Sequence, residues 1–109
     1  MAYDEETAAR VRDELAAQPS VVERRMFGGL AFLVDGNLAC SVTRAGLMVR
    51  VGPDGAAAAS GEPGVRPLDM GGRPMKGWVL IDADRLDDDD VLGAWVQRGA
   101  GFARSLPRK

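Results

Sequence analysis

Arg24-Arg25-Met26-Phe27-Gly28-Gly29-Leu30-Ala31-Phe32-Leu33-Val34-Asp35-Gly36-Asn37 is an apolar run cut twice by glycine. Glycine takes positive φ without a Cβ clash, so Gly28-Gly29 suits a sharp bend or bulge and Asp35-Gly36 a tight hairpin turn. The stretch therefore reads as one strand, Val21 to Phe27, a second over Leu30 to Val34, and a third starting after Gly36. It forms the spine of an antiparallel sheet.

Outward from this stretch, alternation assigns the faces. Val22, Arg24 and Met26 fall on one side of the first strand, and Val21, Glu23, Arg25 and Phe27 on the other. Leu30 to Val34 is apolar throughout, which suits a strand covered on both faces or one whose second face meets a partner chain. The second option carries the expectation of a homodimer. In the third strand Leu38, Cys40 and Val42 are expected to point one way and Ala39, Ser41 and Thr43 the other. After a turn at Arg44-Ala45-Gly46, Leu47, Val49 and Val51 oppose Met48 and Arg50. Four strands joined by short turns make a meander.

Helices flank it. Asp4 can cap a helix running to about Gln18, with Ala8, Val11, Leu15 and Ala16 on one face and Pro19 as its stop. Gly52 to Gly64 reads as a surface excursion with a short helix over Asp54 to Ser60. Val65 to Met70 resumes the sheet, Trp78 to Asp82 is a further strand, and Gly71 to Gly77 is the loop between them. A closing helix from about Asp88 to Leu106 starts in aspartates, ends in arginines and carries Val91, Leu92, Trp95, Val96, Phe102, Ala103 and Leu106 on one stripe. Gly99 and Gly101 weaken it by roughly 1 kcal/mol each relative to alanine, which implies close packing or a bend. The fold class is α+β in two layers. An antiparallel sheet of about five to six strands lies between an N-terminal helix and a long C-terminal helix, in one domain over residues 1–109.

Composition narrows the function classes. A net charge of -2 and a pI near 5.1 give no global attraction to nucleic acid or anionic membranes. One cysteine excludes an internal disulfide framework and fits a reducing compartment, and the acidic start is unlike a signal peptide, so a cytoplasmic location without membrane attachment is expected. The chain has no histidine, which removes Ser-His and Cys-His catalytic pairs and the usual zinc ligand sets. Cys40 then reads as a small buried hydrophobe, and Asp82, Asp84 and Asp87 to Asp90 as a helix start rather than a cation site.

The Gly71 to Gly77 loop offers the one chemical alternative. Its glycines let backbone amides approach an anion while Arg73 and Lys76 supply charge, although it has neither a phosphate-loop nor a dinucleotide pattern. A plain hairpin loop explains the same residues. Asp69 with Lys76 or Arg73 would be the only acid-base pairing in reach, and nothing in the sequence fixes their geometry.

Five motifs in order carry a family resemblance: Arg25-Met26-Phe27-Gly28-Gly29, Phe32-Leu33-Val34-Asp35-Gly36, Leu47-Met48-Val49-Arg50-Val51, Met70-Gly71-Gly72-Arg73-Pro74-Met75-Lys76-Gly77-Trp78, and the Trp95 to Leu106 helix. Together they resemble the N-terminal domain of the TfoX/Sxy family over nearly the whole chain, in a stand-alone form without the C-terminal helical domain of the full-length competence regulators. The resemblance implies a two-layer α+β fold and an association with regulation of competence and transcription, and it implies no catalytic residue. The expected function is a non-enzymatic regulatory or protein-interaction domain, homodimeric, with a protein partner, no cofactor, no metal and no direct nucleic-acid binding. A small-anion module is the alternative. The expected ligand or partner surface comprises Arg25, Gly28, Gly29, Arg50, Gly71, Gly72, Arg73, Met75, Lys76 and Trp78.

Overall fold

The computed structural model describes residues 3–26, 28–59, 61–70 and 72–108. Its order is α1 (Glu5–Glu14), β1 (Val21–Met26), β2 (Gly29–Val34), β3 (Asn37–Val42), β4 (Gly46–Arg50), α2 (Gly52–Ala59), β5 (Val65–Met70), β6 (Arg73–Asp82), a 3-10 turn (Ala83–Asp87) and α3 (Asp89–Ser105). The six strands form one antiparallel sheet in the order β1-β2-β3-β4-β6-β5. The meander expected from the glycine punctuation is present. Asp35 and Gly36 both take positive φ, 54° and 82°, the pairing that a tight two-residue hairpin requires. Phe27, Ser60 and Gly71, assigned above to a strand end, a helix end and a loop, lie outside the described residues.

Both main helices start on a capping aspartate. Asp4 accepts the Glu6 N–H, and Asp88 accepts those of Asp90 and Val91, satisfying donors that have no partner within the helix. α1 ends at Glu14, earlier than the expected Gln18, and passes through a turn that leaves Leu15 buried and Ala16 exposed. The main core lies between these helices and the sheet. Ala8, Val11, Leu92, Trp95 and Val96 pack there against Phe32, Val34, Val42, Leu47, Val49, Val79 and Ile81. α2 joins the same side through Ala59, and Arg98 of α3 stacks on Trp95 while donating to Glu62 just beyond α2.

Two local readings are corrected. The β2–β3 register shifts at Phe32/Leu33, so that Cys40 pairs with Phe32 while Leu38 pairs with Leu33, leaving Ala39 as an extra residue. This bulge puts Leu38 on the face opposite Cys40 and Val42. The second correction is at Gly71 to Gly77, where the strand β6 begins at Arg73 rather than Trp78 and the connection is a tight hairpin. Pro74 and Gly77 look like loop residues in the sequence, but Gly77 instead kinks the strand at φ +85°, with its carbonyl accepting the Val51 N–H, and a Cβ there would lie 3.3 Å from the Gly52 backbone. β2 is buried on both faces, the first of the two arrangements that its apolar run allows.

Candidate functional site

The sheet has two faces of different character. One carries the helices. On the other, Met48, Leu68 and Trp78 form a second buried cluster, joined by half-buried Leu38, Met75 and Leu80. Alternation accounts for the division, because Met48 lies between the core residues Leu47 and Val49, and Trp78 and Leu80 flank Val79. The kink at Gly77 resets the phase, which lets Met75 share this face with Trp78. No helical residue belongs to the cluster.

At its border, antiparallel pairing carries Val22, Arg24 and Met26 of β1 onto the same face as Leu33, Ala31 and Gly29. Val22 is 51% exposed, the one large hydrophobic side chain so exposed among the described residues. Arg24 and Arg73 are exposed, and Arg66 on β5 is held by Asp82 of β6. The helical side carries the acids: Glu5, Glu6 and Asp13 on α1, Asp84 and Asp87 in the 3-10 turn, and Asp88 to Asp90 at the start of α3. The open face thus adds the exposed cations Arg24 and Arg73 to its apolar groups, whereas on the helical side carboxylates stand among the arginines Arg10, Arg12, Arg98 and Arg104.

The expected surface residues divide between the two edges of the sheet. Arg25 is exposed on β1, with Gly28 in the β1–β2 turn and Gly29 starting β2. Gly29 sits so close to the Val42 carbonyl that a Cβ would lie 2.2 Å from its oxygen. Arg50, Gly72, Arg73, Met75, Lys76 and Trp78 gather at the other side, where β4, β6 and β5 adjoin, with Arg50 paired to Trp78. Arg50 also stacks over Phe102 at 5.5 Å. The expected surface is therefore divided in two, because β6 inserts between β4 and β5 and leaves β1 at the far edge.

In the β5–β6 hairpin, the Gly72 N–H donates to Asp69 Oδ1 at 2.8 Å, so a carboxylate already takes a loop amide that an anion would use. Arg73 and Lys76, three residues apart on one strand, fall on opposite faces. Asp69 is engaged with the loop backbone. Cys40 is fully buried and burial pushes its thiol up to about 12, far from a thiolate nucleophile. Among the described residues no group of three or more Cys, Asp or Glu is arranged to hold a metal ion, and no helix is long and apolar enough to cross a membrane.

Sequence reasoning missed two features. A concavity of about 340 Å³ opens between α1 and β1, with Arg12, Leu15, Val21, Glu23 and Phe32 among its lining residues. There Arg12 holds Glu23 through two bonds of 2.6 and 2.8 Å, which lowers the Glu23 carboxyl and raises the Arg12 guanidinium. The helical assignment of Arg12 and the strand assignment of Glu23 were both available, but not their meeting. Asn37 was missed too. It is buried, and its side-chain amide donates to the carbonyls of Ala103 and Pro107 beyond the last turn of α3.

Compared with known protein families, the chain matches the TfoX N-terminal domain over residues 13–103. No curated protein and no solved structure matches it.

Proposed function

Because the chain belongs to the TfoX N-terminal domain family, whose members are regulatory rather than catalytic, we propose that it works by holding a protein partner against the open face of its sheet. The observation that carries this is the second cluster: among the described residues it is built of strand side chains, with Met48, Leu68 and Trp78 buried beneath half-exposed Leu38, Met75 and Leu80, and no described helix belongs to it. Arg24 and Arg73 flank it as exposed cations. The partner segment that fits carries apolar side chains bordered by carboxylates, since such a segment meets the cations at the rim.

The test compares how well purified variants retain a partner from extracts of the cells that make the protein. Leu80→Asp and Arg24→Glu should lose the partner, whereas Arg10→Ala, on α1 across the molecule, should keep it. Equal retention by all three would remove the open face from the reading. Circular dichroism on each variant separates loss of binding from loss of fold.

A further inference from the structure

We infer that β1 is a self-pairing edge, at which two copies of this chain join their sheets antiparallel about a two-fold axis through Arg24. The two sheet edges differ in how they are guarded. β5 carries Pro67 and a register shift between Pro67 and Asp69, devices that spoil an edge for pairing. β1 has neither. Its six residues pair with β2 in unbroken register from Val21↔Val34 to Met26↔Gly29, and it exposes Val22.

The backbone fixes which registers are open. The Asp35 N–H donates to the Ser20 carbonyl, so in this register Ser20, Val22, Arg24 and Met26 direct their backbone groups to β2. Val21, Glu23 and Arg25 direct theirs outward. A second β1 can bond only where these three meet their own kind, and a two-fold perpendicular to the sheet keeps helical face with helical face. Three registers satisfy both conditions over most of the strand. Centred on Glu23, the register sets Glu23 against Glu23. Centred on Val22, it sets Glu23 against Val21 and Arg25 against Pro19. Centred on Arg24, it places Glu23 of each copy opposite Arg25 of the other and Val22 opposite Met26. This gives two ion pairs on the helical side and two apolar pairs on the open side, against one contact between like charges where the two Arg24 side chains meet.

The groove between α1 and β1 adds a second, independent fit. It runs beside Glu23 and is walled by Leu15 and Val21, so the Arg25 side chain of the second copy enters along apolar walls and ends at a carboxylate. Arg12 uses one lone pair on each Glu23 oxygen, leaving both oxygens able to accept from a second guanidinium. The paired sheets also run the open faces of the two copies together through Val22 and Met26. This inference is independent of which partner that face holds.

Light scattering on the full chain from micromolar to millimolar concentration tests it, with Arg25→Glu and Glu23→Arg beside the natural chain. The natural chain should be a dimer, each variant alone a monomer, and an equimolar mixture of the two a heterodimer, since the mixture restores two opposite-charge pairs. A second measurement reads the register directly. Arg24→Cys should oxidise to a disulfide-linked dimer, because opposed residues of a non-hydrogen-bonded pair lie about 4.5 Å apart at Cα, within disulfide reach. A monomeric natural chain, a mixture that stays monomeric, or cross-linking through Val22→Cys in place of Arg24→Cys would each overturn the assignment. None of these outcomes depends on the partner-retention experiment.

Discussion

Gly99 of α3 rests on the carbonyl oxygen of Ala39, the extra residue of the β3 bulge, so closely that a Cβ at position 99 would lie 2.5 Å from that oxygen and 3.1 Å from Val49 Cγ1. The bulge and the glycine are two halves of one contact, because the raised backbone of β3 needs a helix without a side chain above it. Two residues on, a Cβ at Gly101 would meet nothing within 4 Å. Gly99→Ala should therefore lose about 1–3 kcal/mol to overpacking, partly offset by the helix propensity gained. Gly101→Ala should gain about 0.5–1 kcal/mol from propensity alone. Urea unfolding of the two variants beside the natural chain checks the opposite signs, and a shared sign would refute the packing argument.

Asn37 ties the start of β3 to the end of α3. Its Nδ2 donates to the Ala103 carbonyl at 3.2 Å, which also accepts the Leu106 N–H, and to the Pro107 carbonyl at 3.0 Å. Asn37→Leu removes this donor from the buried Ala103 carbonyl, which keeps the Leu106 N–H, and from the more exposed Pro107 carbonyl, and a loss of about 1 kcal/mol is expected. Hydrogen exchange should show the last turn of α3 opening first, while the amides of β1 and β2 keep their natural protection.

The pattern of success in reading the chain follows from how local each signal is. The β1–β4 meander was legible because every turn is punctuated within two or three residues, with Asp35 and Gly36 both at positive φ. The capping aspartates were legible for the same reason, each acting on an amide two residues away. Leu38 was placed on the wrong face because a bulge inserts one residue without changing composition, and a one-residue slip inverts every side chain before it. The candidate surface was split because β6 pairs with β4 across an intervening helix, a non-local choice that no spacing in Gly71 to Trp78 records. Hence Arg25 and Arg73, both assigned to one expected surface, sit toward opposite edges.

Cys40 is sealed between β2 and β4 on the helical face, with its thiol pushed up to about 12 by burial. Thiolate is the reacting species, so raising the pKa and removing access act in the same direction. In native conditions at pH 8 a thiol reagent such as Ellman's should leave Cys40 unmodified, and the full signal should appear only when denaturant unfolds the chain. Rapid native labelling would mean that the sheet and helices part locally at β3. The same result matters for cross-linking at Arg24→Cys, because an inert Cys40 leaves the introduced thiol as the reactive one.

Glu23 supplies a pH dependence whose sign follows from its partner. The bonds from Arg12 favour the charged carboxylate and hold its pKa below the ordinary value, near 4.3 in an unfolded chain. At pH below both values the folded and unfolded states are equally protonated and the pair contributes nothing. Between them the unfolded state holds more protons, so stability rises with pH, and above the unfolded value the contribution is complete. The stabilisation is therefore present at neutral pH and lost as acid carries the solution down through the depressed folded value. Its size is limited to about 0–1 kcal/mol, since the Glu23 side chain is 34% exposed and water screens the pair. Glu23→Gln should lower the melting temperature at pH 7 by a small amount, and the difference from the natural chain should shrink progressively as the pH falls below the unfolded value and toward the depressed folded one. A difference that persists unchanged into acid would show that Glu23 acts through packing against α1 rather than through its charge.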